Sequence, residues 1–138
     1  ADGKKKNPYI IHRTSIGCYE RTLALLIEKY AGALPMWLMP TQIKVLPISE
    51  RHHEYAEKVA ETLREAGLRV ENDTRSEKIG YKIREAQLEK TPYMLVVGDK
   101  EAEENQVAVR SRKDGDIGAM GLEDFLAKAL EEVRTKAK

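Results

Sequence analysis

Within DTRSEKIGYKIREAQ, residues 73–87, the cations Arg75, Lys78, Lys82 and Arg84 crowd the opening turns of what reads as an amphipathic helix. Ile79, Ile83 and Ala86 recur at core-facing intervals, and Ser76 with Glu77 behind it is a candidate N-cap. A helix N-terminus is already positive, so each exposed cation there opposes the macrodipole by about 0.3–1 kcal/mol. An anionic partner reverses the sign, because free backbone amides and Arg or Lys side chains bind phosphate together. The competing reading is a plain solvated face, which would sooner carry its cations at the other end of the helix.

A second candidate is QVAVRSRK, residues 106–113. If Val107 and Val109 face a core, period-two alternation sends Arg110 and Arg112 together to the opposite face. A guanidinium fork matches O6 and N7 of guanine, and a carboxylate such as Glu101 accepts from a base amino or imino hydrogen. Such a pair reads unpaired bases on their edges. Charges that protect an exposed edge strand are the alternative. His12 beside Arg13, and the pair His52 and His53, raise the question of a metal. Zinc wants three or four ligands at suitable spacing, and no Cys-x-x-Cys or His-x-x-x-His accompanies these histidines. Cys18 has no assigned base partner, which argues against a catalytic thiol. The run GCYER, residues 17–21, offers a glycine turn, a helix start and a Glu-Arg pair.

The elements that must position these residues fit 138 residues and 41% apolar content, enough for one core of ordinary size. Lys plus Arg number 24 against 23 Asp plus Glu, so a basic surface can only come from uneven distribution. The single cysteine excludes an internal disulfide framework and fits a reducing compartment. No apolar run approaches the ~20 residues of a membrane span, and the basic start lacks a signal-like apolar region, so the chain is expected to be a piece of something longer.

Pro8–Arg13 is expected as a strand, and Cys18–Tyr30 as a helix with Leu23, Leu26, Ile27 and Tyr30 on its apolar face and Gly32 as its stop. The proline-flanked ALPMWLMP reads as a packed junction. From Thr41 the pattern is strand (Ile43–Ile48), helix capped by Ser49, strand (Leu68–Asn72), the basic helix, and the apolar strand Tyr93–Val97. QVAVRSR follows as an edge strand and Leu122–Lys136 as a final helix. Strand and helix alternating in this way predict an α/β fold with a mixed, mostly parallel sheet flanked by helices.

Taken in order, PYIIHRTSIGCYER, EKYAGALPMWLMPTQ, RSEKIGYKIREAQ, PYMLVVGDKE and VAVRSR resemble the C-terminal end of the bacterial-type threonyl-tRNA synthetases. GCYER is similar to motif 3 of class II synthetases. Residues 1–40 thus resemble a strand-helix remnant of the catalytic domain, and residues 41–138 the anticodon-binding domain shared with the prolyl, histidyl and glycyl enzymes. The resemblance implies that Ser76, Lys78, Lys82, Arg84, Glu101, Arg110 and Arg112 face the anticodon stem-loop of threonine tRNA, whose anticodons share G-U at their last two positions. Ser76 departs from the asparagine common at its position, offering a hydroxyl in place of an amide. Arg21 would hold ATP phosphate and His12 would be one zinc ligand, both only in the parent enzyme. Cys18 falls where other members often carry serine.

The resemblance further implies a cytoplasmic, ATP-dependent ligase that uses zinc and magnesium and works as a homodimer, with catalytic and editing domains elsewhere in the parent chain and no membrane partner. The present chain alone is expected to need no cofactor and to be inactive. A standalone synthetase-derived RNA-binding or regulatory domain without aminoacylation is the alternative function.

Overall fold

The computed structural model describes residues 3–137. Five strands form one sheet: β1 (Ile43–Pro47), β2 (Val70–Asn72), β3 (Tyr93–Val97), β4 (Gln106–Ser111) and β5 (Gly115–Gly121), in the spatial order β2-β1-β3-β4-β5. β1 is buried at every position and β3 at all but Val96, as strands covered on both faces must be. β1 runs parallel to β2 and β3, joined to them through α2 (His53–Glu65) and α3 (Ile79–Leu88). The α/β alternation is therefore as expected. The sheet is mixed, but two of its four pairings are antiparallel, β3 with β4 and β4 with β5, so it is not mostly parallel.

β4 is an interior strand, where an edge strand was expected; the edge is β5, which no apolar alternation announces. Glycines at 115, 118 and 121 dilute its pattern and lower its intrinsic strand preference. The hairpin turns over residues 112–114 into Gly115, whose φ of +74° suits the left-handed position such a loop requires. The short helix α4 (Asp99–Glu104) was also unannounced.

One face of the sheet packs under α2 and α5 (Leu122–Thr135), where Val45, Leu95 and Val109 meet Val59, Leu63 and Phe125. On the other face Leu46 and Met94 lie beneath Ile79, Ile83 and Ala86 of α3. Arg110 stands opposite Met94, and Ala108 opposite Val96, so both share the α3 side of the sheet. There Ala108 and Arg110 are half-buried, while Asp116 and Ala119 on β5 are exposed.

The first helix, α1 (Tyr19–Tyr30), ends as the sequence indicates, with Ala31 and Gly32 both at positive φ and the Gly32 amide donating to Ile27 O. None of its residues is buried, and Leu23 and Ile27 are exposed. Pro8–Arg13 is not a strand: no described residue pairs with it, and Tyr9, Ile10 and Ile11 are exposed. Between α1 and β1 the backbone of residues 31–39 is held by side chains from beyond it. Five carbonyls accept: Ala31 from Lys90 Nζ, Leu34 from Arg112 Nη2 at 2.8 Å, Met36 from Gln42 Nε2 at 3.0 Å, and Trp37 and Met39 from Arg69 at 3.0 and 2.9 Å. Leu34, Met36 and Met39 are buried, so this is a packed junction.

Two expected helix caps are corrected. Ser49 precedes a 3-10 turn (Glu50–His52), and its hydroxyl meets His52 Nδ1 at 3.0 Å rather than a backbone amide of α2. Ser76 does not cap α3, which starts at Ile79 with Lys78 in the cap position and no side-chain cap bond. The Asp73–Ser76 turn consumes the residues that the apolar periodicity alone would have placed in the helix.

Candidate functional site

In a parallel βαβ arrangement the loops leaving the strands and the N-termini of the following helices gather at one end of the sheet. Here the crevice between β1 and β3 is closed. Ile48 N donates to Val97 O, His52 Nε2 contacts Asp99 Oδ1 at 2.9 Å, and Gly98 lies so close to Ile48 that a Cβ would fall 2.7 Å from Ile48 Cδ1. The open space lies instead between the exits of β1 and β2. A cleft of about 650 Å³ is bounded there by Ile48–Arg51 and His53 on one side and Arg75–Lys78 on the other, with Lys82 beneath. The N-termini of α2 and α3 both open onto it, so its field favours negative charge. Arg51 and His53 also line this cleft and were not placed with the basic helix from sequence; Arg51 and two histidines within ERHHE at a helix start were the available signal.

The four cations of the basic helix have separate fates. Arg75 is committed to Asp73 through one guanidinium edge, Nε to Oδ1 at 2.8 Å and Nη2 to Oδ2 at 2.6 Å, and also reaches Glu85. Its hydrogen bonds hold the Asp73 carboxyl below the usual carboxylate range. Lys82, expected at the RNA-facing surface, is 2% exposed. Its ammonium donates to Pro47 O at 3.2 Å and Asp73 O at 2.9 Å, and burial lowers its pKa. An apolar stem on the core face and two orphan carbonyls at the strand exits draw it inward. Lys78 and Arg84 are exposed and make no side-chain hydrogen bond or ion pair among the described residues. These two remain available to an anion.

On the open sheet face Arg110 is partly exposed and donates through Nη2 to Asp116 Oδ2 at 2.9 Å, leaving Nη1 and Nε without a partner among the described residues. Arg112 does not lie beside it. The strand ends at Ser111, and Arg112 turns back to donate to Lys90 O at 2.6 Å and Leu34 O at 2.8 Å, with burial lowering its pKa. Its role is therefore in the junction, a correction to its placement with the base readers. Glu101 accepts from the Gly98 amide at 3.0 Å as the cap of α4, and no ion pair joins it to Arg110. Ser76 is exposed at the cleft, 3.5 Å from Glu50 Oε1.

His12 and Arg21 are exposed, and no group of three or more His, Cys, Asp or Glu side chains among the described residues could hold a metal ion. A lone exposed histidine does not build a zinc site, and a lone exposed arginine does not build a nucleotide site. Cys18 is exposed, its thiol directed at Glu20 Oε2. No described helix is long and apolar enough to cross a membrane.

Residues 42–132 match the model of the anticodon binding domain family. The threonine-tRNA ligase of Clostridium botulinum strain Eklund 17B is 64% identical over 137 residues, 99% of this chain and 21% of that protein. That of Caldanaerobacter subterraneus subsp. tengcongensis is 59% identical over 136 residues, again 99% of this chain and 21% of the relative. Among solved structures, the RNA binding domain of threonyl-tRNA synthetase from Cryptosporidium parvum Iowa II superposes with a TM-score of 0.76 at 39% identity, covering 82% of this chain and 28% of that one. The chain thus spans about a fifth of the length of the curated relatives it matches.

Proposed function

The chain belongs to the anticodon-binding domain family, and from that premise we propose that it grips the anticodon stem-loop of threonine tRNA as part of a threonine-tRNA ligase. Identity of 64% and 59% to threonine-tRNA ligases across nearly the whole chain supports that amino acid over the prolyl, histidyl or glycyl alternatives. The observation that carries the reading is the presence of two features on the α3 side of the sheet: Arg110 with its fork partly free on an open sheet face, and two exposed cations, Lys78 at the N-cap of α3 and Arg84 on the helix itself. Lys78 and Arg84 supply phosphate contacts and most of the affinity, whereas Arg110 reads the guanine shared by threonine anticodons. Ser76 and Glu101 offer a hydroxyl and a carboxylate edge to the neighbouring base.

Residues 41–138 form the RNA-reading domain in this proposal, and residues 1–40 the end of the ligase's catalytic part, where Arg21 would join an ATP site and His12 a zinc site completed by other parts of the protein. Those parts, with ATP and magnesium, perform aminoacylation in a cytoplasmic homodimer. Titrating the chain with a threonine anticodon stem-loop, and with one whose middle guanine is changed to adenine, tests the recognition step. Tighter binding to the first is expected; equal binding to both would remove the anticodon from the proposal.

A further inference from the structure

The cleft at the strand exits has one wall that β-pairing does not hold. Asp73 leaves β2, and residues 74–77 cross to Lys78 at the start of α3 without strand or helix bonds. This short segment carries Ser76 and Lys78, and its position decides where they face. Besides the long, exposed contact of Ser76 with Glu50 at 3.5 Å, three attachments fix it. The Asp73 amide donates to Val45 O at 3.0 Å, Arg75 bridges Asp73 and Glu85, and Lys82 reaches up from α3 to the Asp73 carbonyl while also holding Pro47 O on β1. Only the Lys82 attachment is buried and joins three elements at one atom: the exit of β1, the exit of β2 and the first turn of α3.

We propose that Lys82 is a positioning residue for RNA binding, a buried staple that sets segment 73–78 against the end of β1 so that Ser76 and Lys78 face the RNA, without touching the RNA itself. The proposal rests on the anticodon reading above for its RNA half, while the staple stands on geometry alone. Without the ammonium, Pro47 O and Asp73 O lose the donor they share, and the segment is free to lift. A phosphate-contacting lysine has a different signature. It releases a counterion on binding, and its loss makes the dependence of affinity on salt shallower by roughly one unit. A staple that never meets phosphate leaves that slope alone.

The test uses this chain carrying Lys82→Met, which keeps the apolar stem, and in parallel Lys82→Gln, which keeps a shorter donor and serves as the test variant if the methionine chain does not fold. Amide exchange is measured without RNA, and binding to the threonine stem-loop is measured at several salt concentrations. The expected result is amide exchange in residues 74–78 faster by tenfold or more, affinity reduced about tenfold, and a salt slope equal to that of the unmodified chain. A slope shallower by about one overturns the proposal by making Lys82 a phosphate contact. Unchanged exchange at 74–78 overturns the staple. If the unmodified chain binds neither stem-loop, the RNA reading fails and takes the RNA half of this proposal with it, whereas the exchange result still decides the staple.

Discussion

Arg110 and Asp116 face each other across the β4–β5 pair, with Nη2 2.9 Å from Oδ2, on the side of the sheet that α3 leaves open. The carboxylate takes one edge of the guanidinium and leaves the remaining donors free, so it orients the fork rather than neutralising it. Replacing Asp116 with Ala should lower the preference for a guanine-containing stem-loop over its adenine counterpart by up to about fivefold, the equivalent of the roughly 0.2–1 kcal/mol an exposed pair contributes. Affinity for the adenine RNA should hardly change. A drop of equal size for both RNAs would mean that Asp116 supports the hairpin and not the reading of a base.

Arg110→Lys separates shape from charge at the same place. An ammonium keeps the charge but lacks the planar fork, so about 1–3 kcal/mol of discrimination should disappear while thermal unfolding stays where it was. Discrimination within error of the unmodified chain would show that Arg110 does not read that base.

Lys78→Ala and Arg84→Ala should each weaken binding to both stem-loops alike and flatten the salt dependence by roughly one unit. The contrast with Lys82, whose slope is expected to persist, is the informative comparison. If neither slope moves, the phosphate contacts lie elsewhere, with Arg51 as the next residue to change.

Asp73 makes the cleft wall sensitive to acid. Its folded pKa is depressed, first by the hydrogen bonds from Arg75, so the stability it contributes is complete above the unfolded value of about 4 and is lost as pH falls through the lower folded value. Amide exchange in 74–78, corrected for its intrinsic pH dependence, should therefore quicken below about pH 4. In Asp73→Asn that segment should already be loosened at neutral pH and show a smaller acid step, the remainder belonging to Glu85, whose carboxyl Arg75 also holds low. An identical acid profile in both chains would detach Asp73 from the effect.

Arg112→Ala removes two charge-assisted bonds to backbone carbonyls that are partly buried. A stability loss of about 1.5–3 kcal/mol is expected in denaturant unfolding, with salt dependence of RNA binding untouched. A shallower salt slope with unchanged stability would return Arg112 to the RNA surface.

Much of the first half of the sheet was legible because β1 and β3 are short apolar runs bounded by turn residues, and α2 and α3 keep a helical period. The hairpin at the other side was readable and overlooked. Asp114-Gly115 is a strong turn signal, but three glycines hid the strand that follows. Lys82 and Arg112 were misplaced for one common reason. Sequence patterns mark a cation as surface-bound, while the need to satisfy backbone carbonyls at loop exits is a three-dimensional fact that no local spacing reveals. Pro8–Arg13 has the composition of a strand, but a strand exists only by pairing, and no described residue offers an edge to it.

The segment between α1 and β1 is held through its carbonyl oxygens, by donors from Gln42, Arg69, Lys90 and Arg112. Every amino acid, proline included, carries that oxygen. Unburied side chains along residues 31–39 can therefore drift over generations without erasing the attachment, and besides the buried Leu34, Met36 and Met39 the heritable weak points are the four donors, all of them distant in sequence or just beyond the segment. Two lineages could differ at the unburied positions other than Gly32 and still hand the same geometry to whatever precedes them, whereas a single change at Arg69 would release two anchor points at once.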